Sequence, residues 1–80
     1  MELKGIKILA FGMIAEKINA SEFYLKEVSN TNELLSSLNS LYPQLKEMKF
    51  TISVNRRIVN NNEPLNADSE VALLPPFSGG

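Results

Sequence analysis

The chain contains no cysteine, no histidine and no tryptophan, and the first two absences remove most of the chemistry a side chain could perform. Without cysteine there is no disulfide, no thiolate nucleophile and no persulfide. Without histidine the commonest general base at neutral pH is missing, and zinc and other soft or borderline metals lose both preferred ligands, so no metal site is expected. Ser36, Ser37, Ser40 and Ser53 have no imidazole to activate them. A serine triad is therefore excluded, and solvent or capping roles remain for these hydroxyls. No apolar run approaches the ~20 residues of a membrane span, and Met1-Glu2-Leu3-Lys4-Gly5 lacks the apolar segment of a signal peptide, so the cytoplasm is the expected compartment. A formal net charge of −1 gives no electrostatic reason to expect nucleic acid or an anionic membrane as the ligand.

What is present fits one small domain of 80 residues, enough for a single core but not for a buried pocket with its own catalytic apparatus. Leu3 to Phe11 alternates as a strand does, with Ile6, Ile8 and Ala10 on one face and Lys7, Leu9 and Phe11 on the other. Gly12 breaks it, and Met13, Ile14, Lys17 and Ile18 fit one or two helical turns ending in Asn19-Ala20-Ser21. Phe23 to Val28 reads as a second strand, an antiparallel partner of the first. Asn30 or Thr31 then caps the main helix, Glu33 sits in its first turn, and Leu34, Leu35, Leu38, Leu41 and Leu45 recur at helical spacing. Pro43 should end that helix near Tyr42. A strand from Phe50 to Asn55 turns through Arg56-Arg57 into Ile58-Val59, and Asn60-Asn61-Asn62 forms a polar loop. The arginine pair has two readings, a grip on a phosphate or acidic patch, or solvated charges beside a hairpin turn. Leu65 and the turn Asn66-Ala67-Asp68-Ser69 lead to a last strand, Glu70 to Leu74. The order β-short α-β-α-β-β-β predicts an α+β domain resembling the β-grasp: a mixed sheet of about five strands packed against one main helix plus a short helix.

The seven closing residues, Leu74-Pro75-Pro76-Phe77-Ser78-Gly79-Gly80, carry most of the functional signal. Proline lacks a backbone N–H and fixes φ, so Pro75-Pro76 should stop sheet pairing and project an extended arm. The expected organisation is a body over residues 1–74 and an arm over 75–80. Gly79 and Gly80 carry no side chains, so the end of such an arm can enter a narrow channel. At a glycine usage of about 7%, a terminal diglycine arises by chance in roughly one chain in 200. With no catalytic cluster among the side chains, the terminal carboxylate is left as the reactive group.

Several stretches together resemble the small sulfur-carrier subunits of molybdopterin synthase. They are Ile6-Lys7-Ile8-Leu9-Ala10-Phe11-Gly12, Leu34-Leu35 with Tyr42-Pro43, Val54-Asn55, and Glu70-Val71-Ala72 running into the closing heptad. Thiamine-pathway sulfur carriers share the fold and the diglycine but lack the Pro-Pro-x-Ser-Gly-Gly arm. The family's Asp-Gly-Asp-Glu-like turn is here Ala67-Asp68-Ser69-Glu70, with aspartate in the glycine position. Aspartate tolerates left-handed geometry, so a functional turn is expected.

The resemblance implies a mechanism that needs no cofactor bound to this chain. An E1-like adenylating enzyme would use ATP to activate Gly80 as an acyl adenylate, and a sulfur donor enzyme would displace AMP to leave a C-terminal thiocarboxylate. The large catalytic subunit of the synthase would then receive the arm in its active site, where the sulfur passes to cyclic pyranopterin monophosphate; the family's usual complex is a two-plus-two heterotetramer. In this reading Gly80 is the catalytic acyl group, Gly79 and Ser78 enter the partner, and Pro75 and Pro76 stiffen the arm. Phe77 anchors in a partner pocket or folds back on its own domain. Phe11, Ile58 and Leu74 are the candidate partner interface, with core membership the alternative for Ile58. Two rival functions remain: a ubiquitin-like modifier whose activated Gly80 is captured by a lysine, and a β-grasp interaction module with an incidental tail. A thiamine-type carrier is the nearer alternative.

Overall fold

Five residues of strand β1, Ile6–Ala10, alternate buried and half-buried, the period-2 pattern expected when one sheet face meets a core. The structure, a computed structural model, describes residues 5–75. After β1 come helix α1 (Gly12–Ile18), β2 (Glu22–Leu25), α2 (Thr31–Leu41), a 3₁₀ segment (Pro43–Glu47), β3 (Thr51–Val54), β4 (Arg57–Val59) and β5 (Glu70–Leu74). The sheet order is β2-β1-β5-β3-β4. β1 and β5 pair in parallel at the centre, and the other three pairings are antiparallel. This is the expected β-grasp, with β2 the antiparallel partner of β1. Among the described residues, no helix is long and apolar enough to cross a membrane.

The core lies between one sheet face and the helices. Ile6, Ile8 and Ala10 of β1, Val71 and Leu73 of β5, and Ile52 and Val54 of β3 meet Ile14 and Ile18 of α1, Leu34 and Leu38 of α2, and Leu45 of the 3₁₀ segment. Fully burying a side chain such as Leu38 contributes about 1.5–3 kcal/mol relative to leaving it in water.

The start of α2 is secured on every exposed amide of its first turn, which a helix must otherwise leave without partners. Thr31 N–H donates to the Glu63 carbonyl at 2.9 Å, Leu34 N–H to the Asn30 carbonyl at 3.0 Å, Asn32 N–H to Asn62 Oδ1 at 2.9 Å and Glu33 N–H to Asn30 Oδ1 at 2.9 Å. Asn30 is thus the cap of the two candidates. Thr31 sits inside the helix, where its hydroxyl donates to Asn62 Oδ1 at 3.2 Å and accepts from Glu63 N–H at 2.9 Å. Asn62, expected only as polar loop, holds the helix start. Glu33 closes the arrangement by accepting from the Ser29 N–H at 2.8 Å and hydroxyl at 2.9 Å.

Several element limits differ from the sequence expectation, each for a local reason. β1 begins at Ile6 because Gly5 has φ +80°, and a β-carbon there would stand 2.5 Å from the Leu25 carbonyl oxygen; Leu3 lies outside the described residues. β2 ends at Leu25, short of Val28, as the chain turns through a left-handed Glu27 (φ 63°). The β3–β4 turn is Asn55-Arg56, with φ of 51° and 70°, so Asn55 leaves the strand and Arg57 opens β4. Positive φ at both turn residues is what a two-residue hairpin of the favoured twist requires. α2 ends at Leu41 as Pro43 predicts, but Leu41 is 57% exposed and not part of the leucine core. It borders a groove with Tyr24 and Leu25, beside β2, the edge strand of the described sheet. Leu45 reaches the core from the 3₁₀ segment instead.

Candidate functional site

Alternation and register determine what the helix-free sheet face displays. Leu9 pairs with Glu22 on one side and Ala72 on the other, Ala72 pairs with Ser53, and Ser53 with Ile58. One row therefore crosses all five strands as Glu22, Leu9, Ala72, Ser53, Ile58. In the neighbouring row Leu74 pairs with Thr51. Phe11 joins this row: Ala10 pairs with Leu73, and Phe11, still extended, donates its N–H to the Leu73 carbonyl at 3.2 Å.

Phe11 is 45% exposed and Ile58 49%, while Leu9, Ala72 and Leu74 are half-buried although no helix of the described residues lies over them. The structure thus brings the three expected interface residues, Phe11, Ile58 and Leu74, onto one face, and Ile58 is not a core residue. Leu9 and Ala72 occupy the middle of that face and were not singled out from the sequence. Their signal was present in the alternation of Ile6 to Phe11, which leaves apolar side chains on both faces. Lys7 and Glu22 rim the face, with Lys7 Nζ 3.9 Å from Glu22 Oε2. An apolar centre with a charged rim is the usual composition of a protein-binding surface.

The arginine pair is divided. Arg56 forms the hairpin turn, and Arg57 Nη2 lies 3.8 Å from Glu63 Oε1, an exposed pair of small energetic weight. Asp68 does not adopt positive φ, so the turn makes no use of the left-handed tolerance expected there. Asn66 shapes it instead, its Oδ1 accepting from Asp68 N–H at 2.8 Å and its carbonyl from Ser69 N–H at 3.0 Å.

β5 delivers the chain to the edge of the open face. Val71 and Leu73 are wholly buried and lock the strand between β1 and β3. Among the described residues pairing of this strand ends at Leu74, and Pro75 is half-buried just beyond it. Of the candidate arm, Pro76, Phe77, Ser78, Gly79 and Gly80 lie outside the described residues. Among the described residues, no group of three histidine, cysteine, aspartate or glutamate side chains could hold a metal ion.

A central parallel β1–β5 pair, a long helix across one face and an open apolar face on the other define a ubiquitin-like β-grasp domain. The chain belongs to the ThiS family, whose model matches residues 8–80. It is 32% identical to the molybdopterin synthase sulfur carrier subunit of Chlamydomonas reinhardtii, across 94% of this chain and 98% of that protein. The subunit of the same name from Dictyostelium discoideum is 27% identical, across 92% of this chain and 94% of the relative. Among solved structures, the small archaeal modifier protein 1 of Methanosarcina acetivorans superposes with a TM-score of 0.81 over the whole of both chains at 23% identity, a likeness of fold. A chain from the complex of subunits 1 and 2 of the molybdopterin-converting factor of Helicobacter pylori gives a TM-score of 0.71 at 28% identity, covering 94% of this chain and 97% of that one.

Proposed function

We propose that this chain is the sulfur-carrier subunit of a molybdopterin synthase and that Gly80 bears the sulfur. The observation that carries this reading is the near full-length likeness to the Chlamydomonas reinhardtii carrier subunit, within a family match that runs through Gly80. Each chemical step falls to a partner, because the chain has neither cysteine nor histidine. A carboxylate at neutral pH is a poor acyl donor, so Gly80 is first adenylated by an E1-like enzyme that consumes ATP. A sulfur donor then displaces AMP, and the thiocarboxylate carries the sulfur on the main chain. The large subunit takes up the arm, sulfur passes to cyclic pyranopterin monophosphate, and the carrier returns as the free carboxylate for another round; two charged carriers complete one dithiolene.

The residues of this chain supply binding and presentation. Phe11, Ile58 and Leu74, with Leu9 and Ala72 between them, form the surface on which the large subunit and, in turn, the adenylating enzyme dock. The solved Helicobacter pylori complex of two molybdopterin-converting factor subunits supports a large-subunit partner. Pro75 and Pro76 reduce the conformational freedom the arm loses on entering that partner.

The test is intact-mass analysis of the chain after incubation with its adenylating enzyme, ATP and a sulfur donor. Replacement of one oxygen by sulfur at Gly80, followed by synthesis of molybdopterin on adding the large subunit, is the expected result. Recovery of lysine conjugates alone would replace this reading with that of a protein modifier. A deletion strain that requires thiamine yet keeps its molybdoenzymes would move the chain to the thiamine-type carriers.

A further inference from the structure

Parallel pairing of β1 and β5 brings two chain segments side by side at the point where they must part. Ala10 is in register with Leu73, and Phe11 N–H still reaches the Leu73 carbonyl at 3.2 Å. Continuing that register sets Gly12 beside Pro75. At Gly12 the chain swings into α1 with φ +58°, and a β-carbon built there would stand 3.2 Å from Pro75 Cγ, inside the ~3.5–4.0 Å of an ordinary carbon–carbon contact. The pyrrolidine ring can move its Cγ aside only by changing pucker or by shifting as a whole, so an added β-carbon bears on the ring and on the backbone it closes. Its φ is fixed by the same ring, so a displacement of Pro75 also redirects the backbone that follows it.

We propose that Gly12 is a positioning residue for the C-terminal arm: its bare α-carbon seats the Pro75 ring and thereby sets the direction in which the chain leaves β5. This inference rests on the sulfur-carrier reading for its consequence, which is the aim of the Gly80 thiocarboxylate into the large subunit's active site. The sheet face decides how tightly the body docks, and the seat decides where the arm points once docked. A positioning defect should therefore appear in the transfer rate and not in the affinity.

The experiment uses full-length chain carrying Gly12→Ala or Gly12→Asn. Both side chains place a β-carbon against Pro75, but asparagine bears a left-handed φ much better than alanine. With the thiocarboxylated protein and the large subunit, both variants should slow single-turnover sulfur transfer by about tenfold or more while complex affinity stays within about twofold. In a Pro75→Ala background, which removes the ring, the cost of Gly12→Asn should vanish. An asparagine variant as fast as the parent, or an undiminished cost in the Pro75→Ala background, would overturn the proposal. A second readout needs no partner: the amide resonances of Phe77, Ser78 and Gly79 should shift in both variants, and unchanged resonances would also overturn it. If the parent chain accepts no sulfur at all, the sulfur-carrier reading falls and the amide readout alone decides the seat.

Discussion

Asn55 holds Glu70 through both of its peptide groups: Asn55 N–H donates to the Glu70 carbonyl at 2.8 Å, and Asn55 Oδ1 accepts from Glu70 N–H at 2.9 Å. The pair extends the β3–β5 ladder one step past Val54 and Val71, although Asn55 has already turned left-handed with φ 51°. Asparagine is suited to both demands, since it tolerates this φ and reaches back with an acceptor. Asn55→Gly keeps the φ and loses the acceptor, and should cost about 1 kcal/mol. Asn55→Ala loses the acceptor and also strains the turn, for about 2–3 kcal/mol in all. Thermal unfolding should rank them parent, Gly, Ala, with about 4–8 °C for each kcal/mol; equal losses would show that the acceptor alone matters.

Arg56, the second turn residue, has φ 70° and is exposed. A left-handed conformation costs a non-glycine residue roughly 1–2 kcal/mol, and among the described residues the arginine side chain has no hydrogen-bond or ion-pair partner that would offset it. Arg56→Gly should therefore stabilise the fold by about 1 kcal/mol, a modest gain partly opposed by the greater freedom of glycine in the unfolded chain. Urea denaturation with an unchanged slope and a raised midpoint is the expected result.

These two residues show what the sequence discloses and what it does not. The strands were legible because alternation in Ile6 to Phe11 and Glu70 to Leu74 directly reports a buried face, and the main helix was legible from Leu34, Leu38 and the proline after Leu41. Turn placement slipped by one residue because Asn55 keeps ladder hydrogen bonds while leaving the strand, and an arginine carries no signal for left-handed backbone. Leu41 has the right helical period but lies past the sheet edge, which periodicity does not encode. For the site, the exposure of Phe11 and Ile58 followed from face assignment. Leu9 and Ala72 were missed because their place in the middle of the open face depends on β1 and β5 being central, and only the strand order β2-β1-β5-β3-β4 reveals that. Gly12 was visible as a strand breaker, but its relation to Pro75 needs the parallel register.

Glu33 predicts an acid sensitivity. Hydrogen bonds from the Ser29 backbone N–H, and then from its hydroxyl, hold the Glu33 carboxyl below its usual value of 4.5. The folded state thus favours the ionised form, so in the acid range the unfolded chain binds the proton more readily. The stabilisation is fully present above the unfolded-state pKa and is lost as pH falls through the lowered folded value. Denaturation midpoints should fall as pH is lowered below the ordinary glutamate range. Glu33→Gln should be less stable than the parent at neutral pH, and the gap between the two should close in acid; a gap independent of pH would remove the carboxylate's charge from the account.

The open face offers a separation of binding from stability. Phe11 is the N-cap of α1 and makes no side-chain capping bond, a position where serine is favoured and can contribute about 0.5–2 kcal/mol. Phe11→Ser should therefore keep the folded state within about 1 kcal/mol of the parent, the new cap offsetting the lost apolar contact of a half-exposed ring. Its affinity for the large subunit should nonetheless fall by about tenfold or more if the ring is an anchor of the interface. Leu41→Ser is the matched control, since Leu41 is as exposed as Phe11 but lies beside the β2 edge, away from the face that carries Leu9, Ala72 and Leu74. Titration calorimetry on both variants checks the assignment. A loss confined to Phe11→Ser places the partner on the helix-free face, and a loss confined to Leu41→Ser moves it to the helix side of the sheet.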